Sequence, residues 1–66
     1  MRQVIRILGQ EKRFKDDKPY VLTWVTVDDG TECEFYGDDI SIGDMVEVFF
    51  HWNKIKCRHS KKPSKN

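Results

Sequence analysis

The sequence contains few of the residues that mark three common classes of protein. Its 66 residues include only two cysteines, too few for the disulfide framework of a small secreted scaffold. No apolar run approaches the roughly 18 residues that a membrane helix needs, and no charged-then-apolar leader indicates secretion. A chain this short also has no room for several domains. We therefore predict one small cytoplasmic domain that is not bound to a membrane. Its two thiols are expected to be reduced, with a Cys33–Cys57 disulfide as the alternative.

The patterns of common catalytic sites are missing as well. There is no serine in a nucleophile elbow, no glycine-rich phosphate loop and no carboxylate cluster in apolar surroundings. Paired aspartates recur beside turn residues, where aspartate hydrogen-bonds to the backbone. Four side chains are of types that bind zinc: Cys33, His51, Cys57 and His59. Because their spacing matches no common zinc motif, we predict no enzyme activity, no metal and no cofactor.

The composition of the chain is polar overall but still allows a hydrophobic core. Hydrophobic residues make up 38% and charged residues 35%, eight residues are aromatic, and the mean hydropathy is −0.70. β-branched and aromatic runs bounded by turn residues predict five strands. The strands are predicted at residues 4–8, 20–27, 31–36, 45–51 and 54–59.

The connections between these runs complete the prediction. Gly9 marks a bulge or bend, and residues 10–18 form either a loop or an extension of the first hairpin. Asp29-Gly30 is typical of a tight hairpin, and Trp52-Asn53 of a turn. Residues 1–59 are predicted to form the domain, and the lysine-rich residues 60–66 a disordered basic tail.

Five strands in so short a chain must curl to avoid open edges. The fold class is therefore predicted to be all-β, a small five-stranded Greek-key barrel. Two architectures remain open, an OB-fold-like barrel and an SH3-like barrel. A long first strand with an internal glycine favours the OB-fold, whose first strand bends to serve both sheets.

One stretch resembles a known family. Residues 35–48, Phe-Tyr-Gly-Asp-Asp-Ile-Ser-Ile-Gly-Asp-Met-Val-Glu-Val, are similar to a strand, loop and Gly-Asp-x-Val-x-Val strand of OB-fold nucleic-acid-binding domains, such as single-stranded-DNA-binding proteins. Lys18-Pro19-Tyr20-Val21-Leu22 and Asp29-Gly30-Thr31 resemble their central hairpin. The helix that such domains usually carry between strands three and four is reduced to a short loop, and no cold-shock aromatic signature is present. The resemblance implies a barrel that binds single-stranded nucleic acid, with DNA favoured over RNA.

Charge is strongly segregated along the chain. Residues 1–15 carry a net +4, residues 16–50 a net −9 and residues 51–66 a net +6, which leaves +1 overall. Polyanion binding is therefore expected only if folding brings the two basic ends together. The alternative is that the acids occupy turns and the basic ends only solvate the protein.

Basic and aromatic residues together form the candidate binding site, because rings stack on bases and cations follow the phosphates. In the second strand, either the valines or Leu22 and Trp24 face the core, and the first register leaves Tyr20 and Trp24 outside. Phe14 lies within a basic loop, where it either contacts the ligand or folds back onto a solubilising hairpin tip. The nucleic-acid-binding residues are predicted to be Arg6, Lys12, Arg13, Phe14, Lys15, Tyr20, Trp24, Tyr36, Lys56 and Arg58.

Two features qualify that site. Glu32 and Glu34 would repel phosphate, but in an OB barrel the third and fifth strands are neighbours, so Lys56 and Arg58 would neutralise them. Val46, Val48 and Phe50 share one face of the fourth strand and are predicted to be core. Exposure of Phe49 beside Trp52 would indicate either a base-stacking surface or the contact patch of a protein-binding module or a homodimer.

Overall fold

The computed structural model describes residues 1–60, all of whose regular structure is β-strand. The strands are β1 (Arg2–Lys15), β2 (Lys18–Val27), β3 (Glu32–Tyr36), β4 (Met45–His51) and β5 (Lys54–His59). The predicted tail lies outside the described residues except for Ser60, whose N–H donates to the Met45 carbonyl at 3.1 Å. No helix long and apolar enough to cross a membrane occurs among the described residues.

β1 and β2 form one long hairpin, so the extension predicted as an alternative for residues 10–18 is the correct one. Asp16 and Asp17 both have positive φ, 52° and 63°, which is the backbone of a type I′ turn. The pairing then continues from Lys15↔Lys18 to Val4↔Val27. Its register shifts between Ile7 and Gly9, at the predicted bulge.

The two other hairpins are closed by the predicted turns. In the β2–β3 turn, the Gly30 N–H donates to the Val27 carbonyl at 2.8 Å, and Gly30 has a φ of 89°. That conformation has no steric cost for glycine. In the β4–β5 turn, Trp52 and Asn53 both have positive φ, 52° and 59°. This two-residue turn aligns His51 with Lys54.

The five strands form one sheet in the order β1-β2-β3-β5-β4. β3 and β5 are parallel neighbours through Glu34↔Lys56 and Phe35↔Cys57. The sheet closes on itself because Arg2 and Gln3 of β1 pair with Val46 and Met45 of β4.

The core is formed by side chains that point into the closed sheet. Val25, Val27 and Val46 are fully buried. The other members of the buried cluster are Val4, Cys33, Phe35, Ile40 and Cys57. The core predictions for Val48 and Phe50 are wrong: the Phe50 side chain is 70% exposed and Val48 is 37% exposed. Both share the face of Val46, but this end of β4 extends past the two β1 residues that close the sheet.

Candidate functional site

The outer face of β2 and β3 carries an aromatic pair. Val25 and Val27 point inward, so alternation along the strand turns Tyr20 and Trp24 outward. The rings of Tyr20 and Tyr36 stack with centroids 5.1 Å apart and planes inclined by 23°. Tyr36 remains 67% exposed, so the stacked pair still offers a ring surface to solvent.

Four cations surround the tyrosines, two from the β1–β2 hairpin and two from the β4–β5 hairpin. The register Arg13↔Tyr20 puts Arg13 beside the ring, and a period of two puts Lys15 on the same side. Lys54 and Lys56 approach from β5. Together these groups enclose a cleft of about 250 Å³, which is lined by Arg13, Lys15, Tyr20, Leu22, Glu34, Tyr36, Lys54 and Lys56.

Glu34 lies at the centre of the cleft floor and is surrounded by donors. Its carboxylate is 3.4 Å from the Lys56 Nζ and 3.8 Å from the Lys54 Nζ, and it accepts a hydrogen bond from the Trp24 indole at 3.3 Å. Its side chain is only 13% exposed. Lys56 therefore pairs with Glu34 as expected, whereas Arg58 pairs with Glu47 at 3.2 Å and not with Glu32.

Trp24 is covered on one face. The Arg13 guanidinium lies 5.8 Å from the centre of its ring, within cation–π range. Arg13 is held there by a 2.9 Å hydrogen bond to Glu11, which is also the main reason that the pKa of Arg13 is raised. A base could stack on this face of Trp24 only if Arg13 moved.

A larger and more apolar groove of about 690 Å³ adjoins the cleft. The two share Leu22, Glu34, Tyr36 and Lys56. Phe49 lines the groove beneath the Arg58 guanidinium, which lies 5.0 Å from its ring centre. His59 closes the far side, with its Nε2 2.7 Å from the Asp39 carbonyl and its ring edge-on to Phe35.

The structure brings seven of the ten predicted site residues to this face and leaves three elsewhere. The seven are Arg13, Lys15, Tyr20, Trp24, Tyr36, Lys56 and Arg58. Lys12 and Phe14 alternate with Arg13 and Lys15, so they occupy the opposite side of the hairpin. Arg6 pairs with Thr26, far along β1 from the cleft.

Sequence reasoning did not assign Phe49 and His59 to this site, and it treated Lys54 only as an unpaired cation. Their positions depend on the parallel register Glu34↔Lys56, which brings β5 alongside β3. Alternation within β5 would have linked Lys54 to Lys56, since both point to one face. No local pattern indicates which strand that face adjoins.

The two thiols lie in the core and not in the site. Cys33 and Cys57 are free and buried. Burial is the main cause that raises the pKa of Cys57 to about 12. Among residues 1–60, no cluster of three or more histidine, cysteine or acidic side chains is arranged to hold a metal ion.

Comparison of the chain with protein-family models, with curated proteins and with solved structures gave no significant match.

Proposed function

We propose that the protein is an OB-fold-like Greek-key barrel that binds single-stranded nucleic acid without catalysis, with DNA as the first candidate ligand and RNA as the second. The strand order supports an OB-like barrel over an SH3-like one, because the parallel contact of β3 and β5 is the one expected for an OB barrel. The buried free thiols are compatible with a reducing cytoplasm.

The observation that carries the proposal is the stacked pair of Tyr20 and Tyr36 enclosed by four cations. Stacking of a base on an aromatic side chain contributes about 1–3 kcal/mol and tolerates any base. Two carboxylates, Glu11 and Glu34, oppose the four cations, so the cleft keeps a net charge of +2. The acidic Asp28-Asp29 turn does not cancel this charge, since it pairs with Arg2 instead.

The parts of the site have distinct roles in this proposal. Tyr36 presents its free face to one base, and Lys15 and Lys54 hold phosphates on either side. The apolar groove beside Phe49 accommodates the next base, with Arg58 available to a phosphate at its rim. Glu34 competes with the ligand for Lys54 and Lys56 and so limits affinity.

The matched pair Lys15→Ala and Lys12→Ala tests this arrangement. Both remove one positive charge from the same strand, but only Lys15 faces the cleft. We expect Lys15→Ala to weaken binding of fluorescein-labelled oligo-dT and to reduce the salt slope by about 0.7, the contribution of one phosphate contact on a single strand. Lys12→Ala should leave both quantities close to those of the unmodified protein.

Fluorescence anisotropy at several salt concentrations measures both quantities. An oligo-U series compares RNA with DNA, and duplex DNA serves as a competitor. No binding at low salt and micromolar protein would eliminate the proposed function. Equal losses from Lys12→Ala and Lys15→Ala would show that charge alone attracts the ligand and would remove the cleft as its site.

A protein-interaction module is the second candidate function. It is favoured by the apolar side chains at the end of the β4–β5 hairpin, where Trp52 is 82% exposed. Association through such a surface would change little with salt, whereas binding to phosphates would weaken steeply. The same salt series therefore separates the two.

A further inference from the structure

One side of β4 has no neighbouring strand over most of its length. β4 pairs with β5 from Val46 to His51, but on its other side it meets β1 only at Met45 and Val46. From that point β1 runs away from the rest of β4 and toward Asp44, because the two strands are antiparallel and the Val4 N–H donates to the Asp44 carbonyl at 2.9 Å. Among residues 1–60, no strand covers the edge of β4 from Glu47 to His51.

The backbone groups exposed at this edge can be identified from the β4–β5 turn. A two-residue turn makes its flanking residues, His51 and Lys54, a hydrogen-bonded pair. The Ser60 N–H donates to the carbonyl of Met45, another odd-numbered residue of β4. The odd-numbered residues of β4 therefore direct their backbone groups toward β5. The N–H and C=O groups of Val48 and Phe50 therefore point to the free side.

The side chains of the same two residues are apolar and uncovered. Phe50 is 70% exposed and Val48 37% exposed, and Ile55, which pairs with Phe50, is also exposed. An edge with free backbone groups and apolar side chains is a template for another strand. Since β4 carries no proline, Val48 and Phe50 can both donate their outward N–H groups to an added strand.

We propose that β4 pairs with β4 of a second copy of this chain, antiparallel about a two-fold axis at Phe49. The free edge runs from residue 47 to residue 51, and Phe49 is its midpoint. In this register Val48 of each copy lies opposite Phe50 of the other, and both use the backbone groups that point outward. Four hydrogen bonds form across the axis, two for each such pair.

Neighbouring registers fit less well. An axis at Val48 would place Phe50 opposite Val46, whose backbone already pairs with Arg2. An axis at Phe50 would place Val48 opposite Trp52, which lies in the turn with positive φ. The register at Phe49 also sets Glu47 opposite His51 of the second copy, so no like charges meet. A self-complementary surface of this kind is what a two-fold dimer requires.

Sedimentation velocity between micromolar and millimolar concentration tests the association, with Phe50→Lys as the disrupting variant. The matched control is Phe14→Lys. It makes the same substitution at a phenylalanine that is 68% exposed on the β1–β2 hairpin, away from β4. We expect dimers in the unmodified protein and in Phe14→Lys, and monomers in Phe50→Lys. Val48→Pro, which removes one outward N–H and leaves the β5 pairing intact, should also give monomers.

Cysteine cross-linking tests the register. Phe49→Cys should form an intermolecular disulfide under mild oxidation, because two residues facing each other on the axis have Cα atoms about 4.5 Å apart. Val48→Cys should not, since its partner is Phe50, but Val48→Cys mixed with Phe50→Cys should cross-link. Monomers at every concentration, dimers that persist in Phe50→Lys, or cross-links from Val48→Cys alone would each overturn the proposal.

Discussion

Lys56 and Glu34 face each other across the parallel junction of β3 and β5, with the lysine Nζ 3.4 Å from a carboxylate oxygen. Lys54 approaches the same carboxylate, so one mostly buried acid holds two of the four cations of the cleft. The cleft is therefore built with an internal competitor for any bound phosphate.

Glu34→Gln should tighten binding of oligo-dT, because it frees both lysines. The same change should lower the free energy of unfolding by about 1 kcal/mol, the usual contribution of such partly exposed pairs. Anisotropy and urea denaturation measure the two effects. Glu32→Gln is the control, since it removes an equal charge from the same face and Glu32 has no ion pair within residues 1–60. Weaker binding by Glu34→Gln would show that Glu34 orients the cations for the ligand and does not compete with it.

Val25→Ala should destabilise the protein by about 2 kcal/mol, because the side chain is fully buried and its loss leaves a cavity. Val48→Ala removes the same atoms from a partly exposed position and should cost less than about 1 kcal/mol. Urea denaturation at one protein concentration compares them. Equal losses would contradict the assignment of Val48 to an uncovered face.

Stability should fall at alkaline pH because of the buried Cys57. Its pKa is raised from 9.0 to about 12 by burial, so the folded state keeps a proton that the unfolded state releases. The unfolded state then binds fewer protons above pH 9, and the free energy of unfolding decreases with a limiting slope of about 1.4 kcal/mol per pH unit between about pH 9 and about pH 12. Below pH 9 this contribution is fully present.

The comparison for this pH effect is Cys57→Ala, which removes the titrating group. Unfolding curves at a series of pH values should decline less steeply in the variant, whatever the lysines contribute to both. An identical decline in the two proteins would contradict the shifted pKa.

Asp17→Gly should stabilise the β1–β2 hairpin by about 0.5–1 kcal/mol, since residue 17 has a φ of 63° and glycine favours that region. Asp38→Gly makes the same chemical change outside the positive-φ residues and should be neutral or destabilising. Thermal unfolding of both variants measures the difference. A lower melting temperature for Asp17→Gly would show that the Asp17 side chain, and not its backbone, sets the turn.

Much of the fold follows from local patterns. β4 and β5 have the predicted bounds because the Trp52-Asn53 turn separates two strongly β-forming runs. The sequence leaves open whether β1 continues through residues 10–15, since these polar residues are stabilised by pairing with β2 and not by burial. The error at Phe50 has another cause: alternation identifies which residues share a face, but not where the covering strand ends.

The candidate site could be predicted only in part. Alternation across the β1–β2 hairpin relates Arg13 and Lys15 to Tyr20 once the turn at Asp16-Asp17 is recognised. The same alternation excludes Lys12 and Phe14 from the cleft, although all four lie in one basic segment. The approach of Lys54 to Glu34 depends on strands that are distant in sequence, so local reasoning could not give it.

Closure of the sheet depends on two residue pairs, Arg2↔Val46 and Gln3↔Met45, against ten between β1 and β2. A force that pulls on the amino end of β1 would act on these two β1–β4 pairs before it acted on most of the β1–β2 pairing. This short β1–β4 seam is therefore a mechanical weak point of the sheet, and surface immobilisation through that end would favour peeling β1 away from β4.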